Sequence, residues 1–220
     1  MWLTKKAYRY QTKNLDLIKI MEVKYFLTKI ECDNILYEIE KKSNLLRVTN
    51  DFGSYDHAAK ELHINFLDKS LIKDTILKKS NELSDKINCD VDNINFVKYE
   101  SNGINHMPLH YDWCKKTLIV NLNDNYTGGG TGFPIHDNYF NVNEYGVGAG
   151  IMFNSMNFLS YHCAMKVNNG DRYAMVINFK SKNKSILRYF WKVPYLIVRD
   201  ILFGRYIFNW YYHKVKKFKY

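Results

Sequence analysis

Two stretches of alternation limit the fold more than any other feature of this 220-residue chain. From Thr117 to Leu122, the apolar residues Leu118, Val120 and Leu122 alternate with Thr117, Ile119 and Asn121. From Arg172 to Phe179, Tyr173, Met175, Ile177 and Phe179 fall at every second position. A period of two belongs to a β-strand with one face buried. Ile94–Glu100, the region of Phe133, Tyr139, Phe140 and Val142, and Leu159–Cys163 read as further strands. Glycine-rich connections divide them: Gly128-Gly129-Gly130, which needs positive φ or a close backbone approach, then Gly146, Gly148 and Gly150, and the hairpin signal Asn168-Asn169-Gly170. Many short strands with frequent glycine turns indicate a β-sandwich or jelly-roll.

Upstream, the periodicity changes. Met21 to Leu27 reads as a first strand. Thr28-Lys29-Ile30-Glu31 is a capping box, with Leu27 placed for a hydrophobic staple. The helix that follows is expected to bury Ile30, Ile35, Leu36 and Ile39. Residues 44–67 read as irregular or short strands around Phe52-Gly53-Ser54. A second helix starts from Asp68, capped by Asp68 or Ser70, with Leu71, Ile72, Ile76, Leu83 and Ile87 as its apolar face. The fold class is therefore α+β, mainly β, with supporting helices in residues 1–93, a β core in residues 94–180 and an extension in residues 181–220.

Charge sets the extension apart. Residues 181–220 hold ten Lys/Arg and one acid, whereas the first 180 residues are balanced to within one charge. Ten aromatics lie between residues 186 and 212, but Arg199, Asp200 and Arg205 interrupt the apolar run, which argues against a transmembrane helix. The extension can dock on the β core or a second copy of the chain, or lie on a membrane surface. Nucleic-acid binding through Lys214, Lys216, Lys217 and Lys219 is the least favoured reading. Cys32, Cys89, Cys114 and Cys163 form no CxxC pair, which points to reduced thiols. The N-terminus lacks the apolar core of a signal peptide, so a cytoplasmic protein is expected, with peripheral membrane contact open to the extension.

Within the β core, His110 and Asp112 are two residues apart, a spacing that turns both to one face of a strand. A second imidazole from another strand, His162, would complete a two-His, one-carboxylate set that leaves half an octahedral Fe(II) sphere open. Each of these residues alone reads as structural. Together they gain weight from Arg172, ten residues beyond His162 across the Asn169 turn. Placed opposite residue 166, Arg172 would lie about 13 Å from His162 at about 3.3 Å per residue. A five-carbon dicarboxylate bound to the metal could span that gap, and a guanidinium fork suits its far carboxylate. His106 and His136 flank the site without an assigned role, as do His57 and His63 farther away.

The stretch Phe96–Lys180 resembles the catalytic domain of Fe(II)/2-oxoglutarate-dependent dioxygenases, closest to the prolyl 4-hydroxylase and procollagen lysyl hydroxylase branch. The matching residues are Val97-Lys98-Tyr99, His110-x-Asp112, Thr117, Leu122-Asn123, Tyr126-x-Gly128-Gly129-Gly130-x-x-Phe133, His162 and Gly170-x-Arg172-Tyr173. Phe26-Leu27-Thr28-x-x-Glu31-Cys32 resembles the prolyl hydroxylase lead-in. The resemblance implies a double-stranded β-helix (jelly-roll, cupin-like). It implies Fe(II) on His110, Asp112 and His162, and 2-oxoglutarate held by Arg172, Tyr99 and Thr117. It further implies O2 as oxidant, ascorbate as an accessory reductant, and hydroxylation of a prolyl or lysyl side chain in a protein or peptide, with succinate and CO2 as co-products.

The chain departs from that pattern at Cys163, where the lysyl branch usually carries an acid, and at Cys114, which would face the metal if Asp112 sat on a regular strand. Nucleic-acid oxygenases of the same superfamily usually add an arginine six residues after the first; that position here is Asn178. A small-molecule oxygenase and a non-catalytic β-helix binding module are the remaining alternatives.

Overall fold

The two alternating stretches fold as neighbouring strands of one sheet; the helices cover one of its faces and a second sheet lies across a cleft from the other. The structure is a computed structural model that describes residues 20–50, 57–68, 71–135, 138–141, 146–182, 194–199, 202, 207, 210 and 211. The expected lead-in before Ile20, the Phe52-Gly53-Ser54 turn, Ser70 and His136 lie outside these residues.

In chain order the elements are β1 (Met21–Val23), α1 (Lys29–Lys41), β2 (Arg47–Asn50), β3 (His57–His63), α2 (Leu71–Lys86), β4 (Cys89–Glu100), β5 (Met107–His110), β6 (Lys116–Asn121), β7 (Thr127–Gly128), β8 (Thr131–Ile135), β9 (Asn138–Asn141), β10 (Gly150–Phe153), β11 (His162–Ala164), β12 (Val167–Asn169) and β13 (Asp171–Ser181). A seven-stranded sheet runs β1-β10-β6-β13-β4-β3-β2, and a four-stranded sheet runs β5-β11-β8-β9. Every pairing is antiparallel. This is the double-stranded β-helix expected from the sequence.

Leu118 and Val120 of β6, with Leu122 just beyond it, join Phe96, Met175, Ile177 and Phe179 against Ile35, Ile39 and Ile76 of the helices. The alternate residues Thr117, Ile119, Val97, Tyr99, Arg172, Ala174 and Val176 face the four-stranded sheet and line a cleft. Each fully buried isoleucine stabilises the helix–sheet layer by about 1.5–3 kcal/mol.

The capping box forms as expected: Glu31 N–H donates to Thr28 Oγ1 at 3.2 Å, and Thr28 N–H donates to Glu31 Oε2 at 2.6 Å. Lys79 of α2 donates to the same carboxylate at 2.7 Å, which joins the two helices. Leu27 N–H donates to Gly148 O at 2.9 Å. Gly148 has φ +80°, and a Cβ there would sit 2.0 Å from Leu27 O, so the helix entry demands glycine.

Four expectations are corrected. Ile30 is 73% exposed and Leu71 is 86% exposed, so neither belongs to the buried helix face. Each precedes the first core isoleucine by five residues, about 140° around the helix. Cys32, fully buried, takes the place given to Ile30. The first strand ends at Val23, and Tyr25 then adopts φ +54°. Asn168-Asn169-Gly170 does not close a hairpin: β12 pairs with β7, whereas β13 pairs with β4 and β6. The turn instead carries the chain from one sheet into another, because the eleven-residue β13 gains two long neighbours there.

Candidate metal and anion site

His110 ends β5 and His162 begins β11, and the two residues are directly paired across those strands. Their ring centroids lie 4.4 Å apart. Each ring is oriented by a carbonyl two residues earlier: His110 Nδ1 to Pro108 O at 2.7 Å, and His162 Nδ1 to Ser160 O at 2.8 Å. A carbonyl cannot donate, so Nδ1 carries the proton and the Nε2 lone pair points into the cleft. Both Nε2 atoms lie 3.6 Å from the Asp112 carboxylate, one from each oxygen. The three side chains offer ligand atoms that all fall within 4.8 Å of one another, a group able to hold a metal ion.

The sequence reading placed His110 and Asp112 on one strand. The structure corrects this, since β5 stops at His110 and Asp112 lies beyond it. Asp112 is instead held by side chains. Thr117 Oγ1 donates to Asp112 Oδ2 at 2.5 Å, and the Thr117 and Ser155 hydroxyls lie 2.7 Å apart. Burial alone would push the Asp112 carboxyl up; the neighbouring His162, His110 and Thr117 outweigh it and hold the carboxyl well below the usual range. Burial pushes His162 down to about 4, against the pull of Asp112, with His110 adding to the fall. Phe133 and Phe153 flank the His162 ring at centroid distances of 5.7 and 4.8 Å and form the dry side of its surroundings. At neutral pH Asp112 is thus a carboxylate and His162 a neutral imidazole, the donor state a divalent metal requires.

The trio opens on a cleft of about 110 Å³ that Arg172 and Tyr99 also line. Arg172 is 4% exposed, its Nε is buried without a partner, and its Cζ lies 5.4 Å from the centre of the Tyr99 ring. No carboxylate among the described residues pairs with it. A buried guanidinium left in this state is a receptor for an anion. Burial pushes the Tyr99 phenol up, so it remains a proton donor; its hydroxyl lies 3.8 Å from Met107 Sδ. The register Arg172↔Tyr99 places the two side by side on β13 and β4. Arg172 therefore reaches the site from the large sheet, not from across a hairpin as the spacing argument supposed.

The glycine and asparagine motifs position these residues. Gly129 has φ +69°, and a Cβ there would lie 3.0 Å from Arg172 Cδ and 2.9 Å from Tyr126 Cε2. Asn123 holds the start of β13: its Nδ2 donates to Asp171 O at 2.7 Å, and its Oδ1 accepts from Tyr173 N–H at 2.8 Å. Lys98 and Tyr173 of the same motif set work on the opposite face, where Tyr173 donates to Glu40 of α1 and Lys98 lies 3.3 Å from it.

All four cysteines are free and buried. Cys163 lines the cleft. Cys114 does not, because the chain leaves strand geometry at Asp112; its Sγ lies 3.1 Å from Lys116 O and 3.2 Å from Thr117 Oγ1. Burial and the charge of Asp112 push this thiol up to about 12, so it stays protonated. His106 is bound to Asn105 Oδ1 at 2.9 Å, away from the cleft lining.

Sequence reasoning missed Ser155 and Arg199. Residues 194–199 of the extension are helical and dock beside the site. Tyr195 Oη donates to Met156 O at 2.7 Å, Leu196 is buried, and Arg199 is fully buried. Ile197, Val198, Leu202, Ile207 and Trp210 are exposed. No helix among the described residues is long and apolar enough to cross a membrane. The available signal for Arg199 is a charge inside an apolar run, which with Asp200 and Arg205 counts in the sequence only as an obstacle to membrane insertion.

No protein-family model matches the chain, and no curated protein matches its sequence. Solved structures do match its fold. A viral collagen prolyl hydroxylase from Paramecium bursaria Chlorella virus-1, solved as a 2-oxoglutarate complex, superposes with a TM-score of 0.54 at 18% identity, over 74% of this chain and 96% of that one. A prolyl hydroxylase from Trichoplax adhaerens, solved with a hypoxia-inducible-factor oxygen degradation domain peptide fragment, gives a TM-score of 0.60 at 13% identity, over 83% and 94%. The non-heme α-ketoglutarate-dependent epimerase SnoN from nogalamycin biosynthesis gives 0.56 at 12% identity, over 80% and 83%. At these identities the likeness establishes a shared double-stranded β-helix.

Proposed function

We propose that this protein is an Fe(II)- and 2-oxoglutarate-dependent oxygenase that hydroxylates a prolyl or lysyl side chain of a protein or peptide. One observation carries the reading: two imidazole Nε2 atoms and a carboxylate converge at one end of a cleft that also holds a buried guanidinium whose Nε has no hydrogen-bond partner among the described residues. His110, Asp112 and His162 would hold the metal, with half of its coordination sphere open. Arg172 would bind the far carboxylate of 2-oxoglutarate through its fork, with the Tyr99 hydroxyl as a further donor. Thr117 orients Asp112 and borders the same space. Iron with 2-oxoglutarate supplies the oxidising chemistry, using O2 and releasing succinate and CO2. This chain's own contribution is to orient those groups and exclude water, with Phe133 and Phe153 beside His162.

A protein or peptide substrate is supported by the fold shared with a hydroxylase solved with a peptide. The test is incubation with Fe(II), 2-oxoglutarate, ascorbate and a panel of prolyl- and lysyl-containing peptides. The expected result is succinate release matched by one added oxygen atom on a peptide, lost in Asp112→Ala. Succinate release without peptide oxidation across the panel would overturn the protein substrate. It would favour the second reading, a small-molecule oxygenase, which the similarity to SnoN supports.

A further inference from the structure

Asp112 poses a structural problem. It lies past the end of β5, so no strand ladder fixes its main chain. Yet its carboxylate must stand between two histidines whose own positions are fixed by direct strand pairing. The structure supplies the missing restraint from a distant part of the chain. Arg199 Nη2 donates to Asp112 O at 3.2 Å, and Nη1 of the same guanidinium donates to Ser155 O at 2.5 Å. Its Cζ lies over the Tyr111 ring, 4.2 Å from its centre, so the cation also contacts the residue before Asp112. Ser155 in turn meets Thr117, and Thr117 donates to the Asp112 carboxylate. One guanidinium thus grips the backbone on both sides of a short relay that ends on the proposed ligand.

We propose that Arg199 is a positioning residue for the metal site, and that the C-terminal extension thereby forms part of that site. The proposal rests on the functional reading above. The side-chain chemistry fits. Only a planar fork can donate to two carbonyls while lying over an aromatic ring; a lysine would satisfy one of them. Burying a cation is costly, and here its donors meet carbonyl oxygens in a fully buried position. Arg199 is not part of the cleft lining, and its two carbonyl bonds act on the main chain of Asp112 and Ser155; its charge also adds to the downward shift of His162. Partners of this kind typically change metal affinity by about 10–100-fold when removed.

The test is anaerobic titration of the full-length apoprotein with Fe(II) alone, followed calorimetrically, with near-ultraviolet circular dichroism as a check on packing. Arg199→Ala is expected to weaken Fe(II) binding about 10-fold or more, and added guanidinium ion should restore part of the loss. Tyr195→Phe removes another anchor of the same segment, the bond to Met156 O, and should leave Fe(II) affinity within about 2-fold of wild type, a loss well short of that expected for a metal partner. If Arg199→Ala does not fold, Arg199→Lys serves; it keeps the charge and loses the fork, and weaker binding in a packed protein is again expected. Wild-type affinity in a folded Arg199→Ala or Arg199→Lys protein would overturn the proposal, as would an equal loss in Tyr195→Phe. Absence of Fe(II) binding by the wild-type protein would instead overturn the functional reading on which the proposal stands.

Discussion

Replacing Arg172 with methionine should separate ligand binding from stability. Arg172 is 4% exposed, its Nε has no partner, and its principal contact is the face of Tyr99 at 5.4 Å. In the ligand-free protein the guanidinium therefore costs stability, about 1 kcal/mol for an unsatisfied buried donor. Methionine has a similar length and stacks on Tyr99 through sulfur. Arg172→Met should raise the unfolding free energy of the ligand-free protein by about 1 kcal/mol, or about 2–4 °C in Tm for a chain of this size. The same change removes a bidentate charged contact to the co-substrate. At about 3 kcal/mol for such a pair, the Kd for 2-oxoglutarate should rise about 100-fold. Calorimetric titration of the Fe(II)-loaded protein under nitrogen measures the second effect, and differential scanning calorimetry without ligand measures the first. A structural arginine would behave in the opposite way, with stability falling and 2-oxoglutarate affinity changing little; that pair of results would refute the reasoning.

Three further changes probe the surroundings. Gly129→Ala puts a Cβ at φ +69° and 3.0 Å from Arg172 Cδ; it should cost about 1–2 kcal/mol in thermal stability and weaken 2-oxoglutarate binding while leaving binding of Fe(II) alone unchanged. Thr117→Val removes the hydroxyl that donates to Asp112; Fe(II) affinity measured by calorimetry should fall about 10-fold. Glu31→Gln tests the helix entry. Burial raises this carboxyl, but Lys79 and the Thr28 backbone and hydroxyl outweigh it, so its folded value lies below 4.5. Its stabilisation is present above the unfolded value and is lost as pH falls through the lower folded value. Urea unfolding should show the variant less stable by about 0.5–1 kcal/mol at neutral pH, with the gap closing below about pH 4.

Much of this arrangement was legible in the sequence, and the parts that were not have physical reasons. Leu118 and Val120 face the helices while Thr117 and Ile119 face the cleft, as a period of two requires. The Thr28–Glu31 box is a local contact and forms where local chemistry places it. His110, Asp112 and His162 were identified as a group, but strand geometry accounts only for the two histidines. Asp112 lies off the strand and depends on Thr117, on Ser155 through Thr117, and on Arg199, 87 residues away. Both hydrogen bonds of Arg199 end on backbone carbonyls, which leave no pattern in a sequence. Arg172 reached the expected cleft by an unexpected route, because a hairpin signal is local whereas the choice of sheet depends on long-range pairing of β13 with β4 and β6. Ile30 and Leu71 were misassigned for a simpler reason: five residues of helix turn a side chain away from the face it was counted on.

The central claim is that one cleft binds a metal and a 2-oxo acid together. Anaerobic addition of Fe(II) and 2-oxoglutarate to the wild-type protein, followed by visible absorption, tests it directly, since chelation of ferrous iron by a 2-oxo acid produces a charge-transfer band. The account predicts a saturable band at one iron and one 2-oxoglutarate per chain. It predicts a band in Arg172→Met only at about 100-fold higher 2-oxoglutarate, and none in His162→Ala. A wild-type protein that shows no band and no saturable Fe(II) binding, or a band undiminished in His162→Ala, would contradict it.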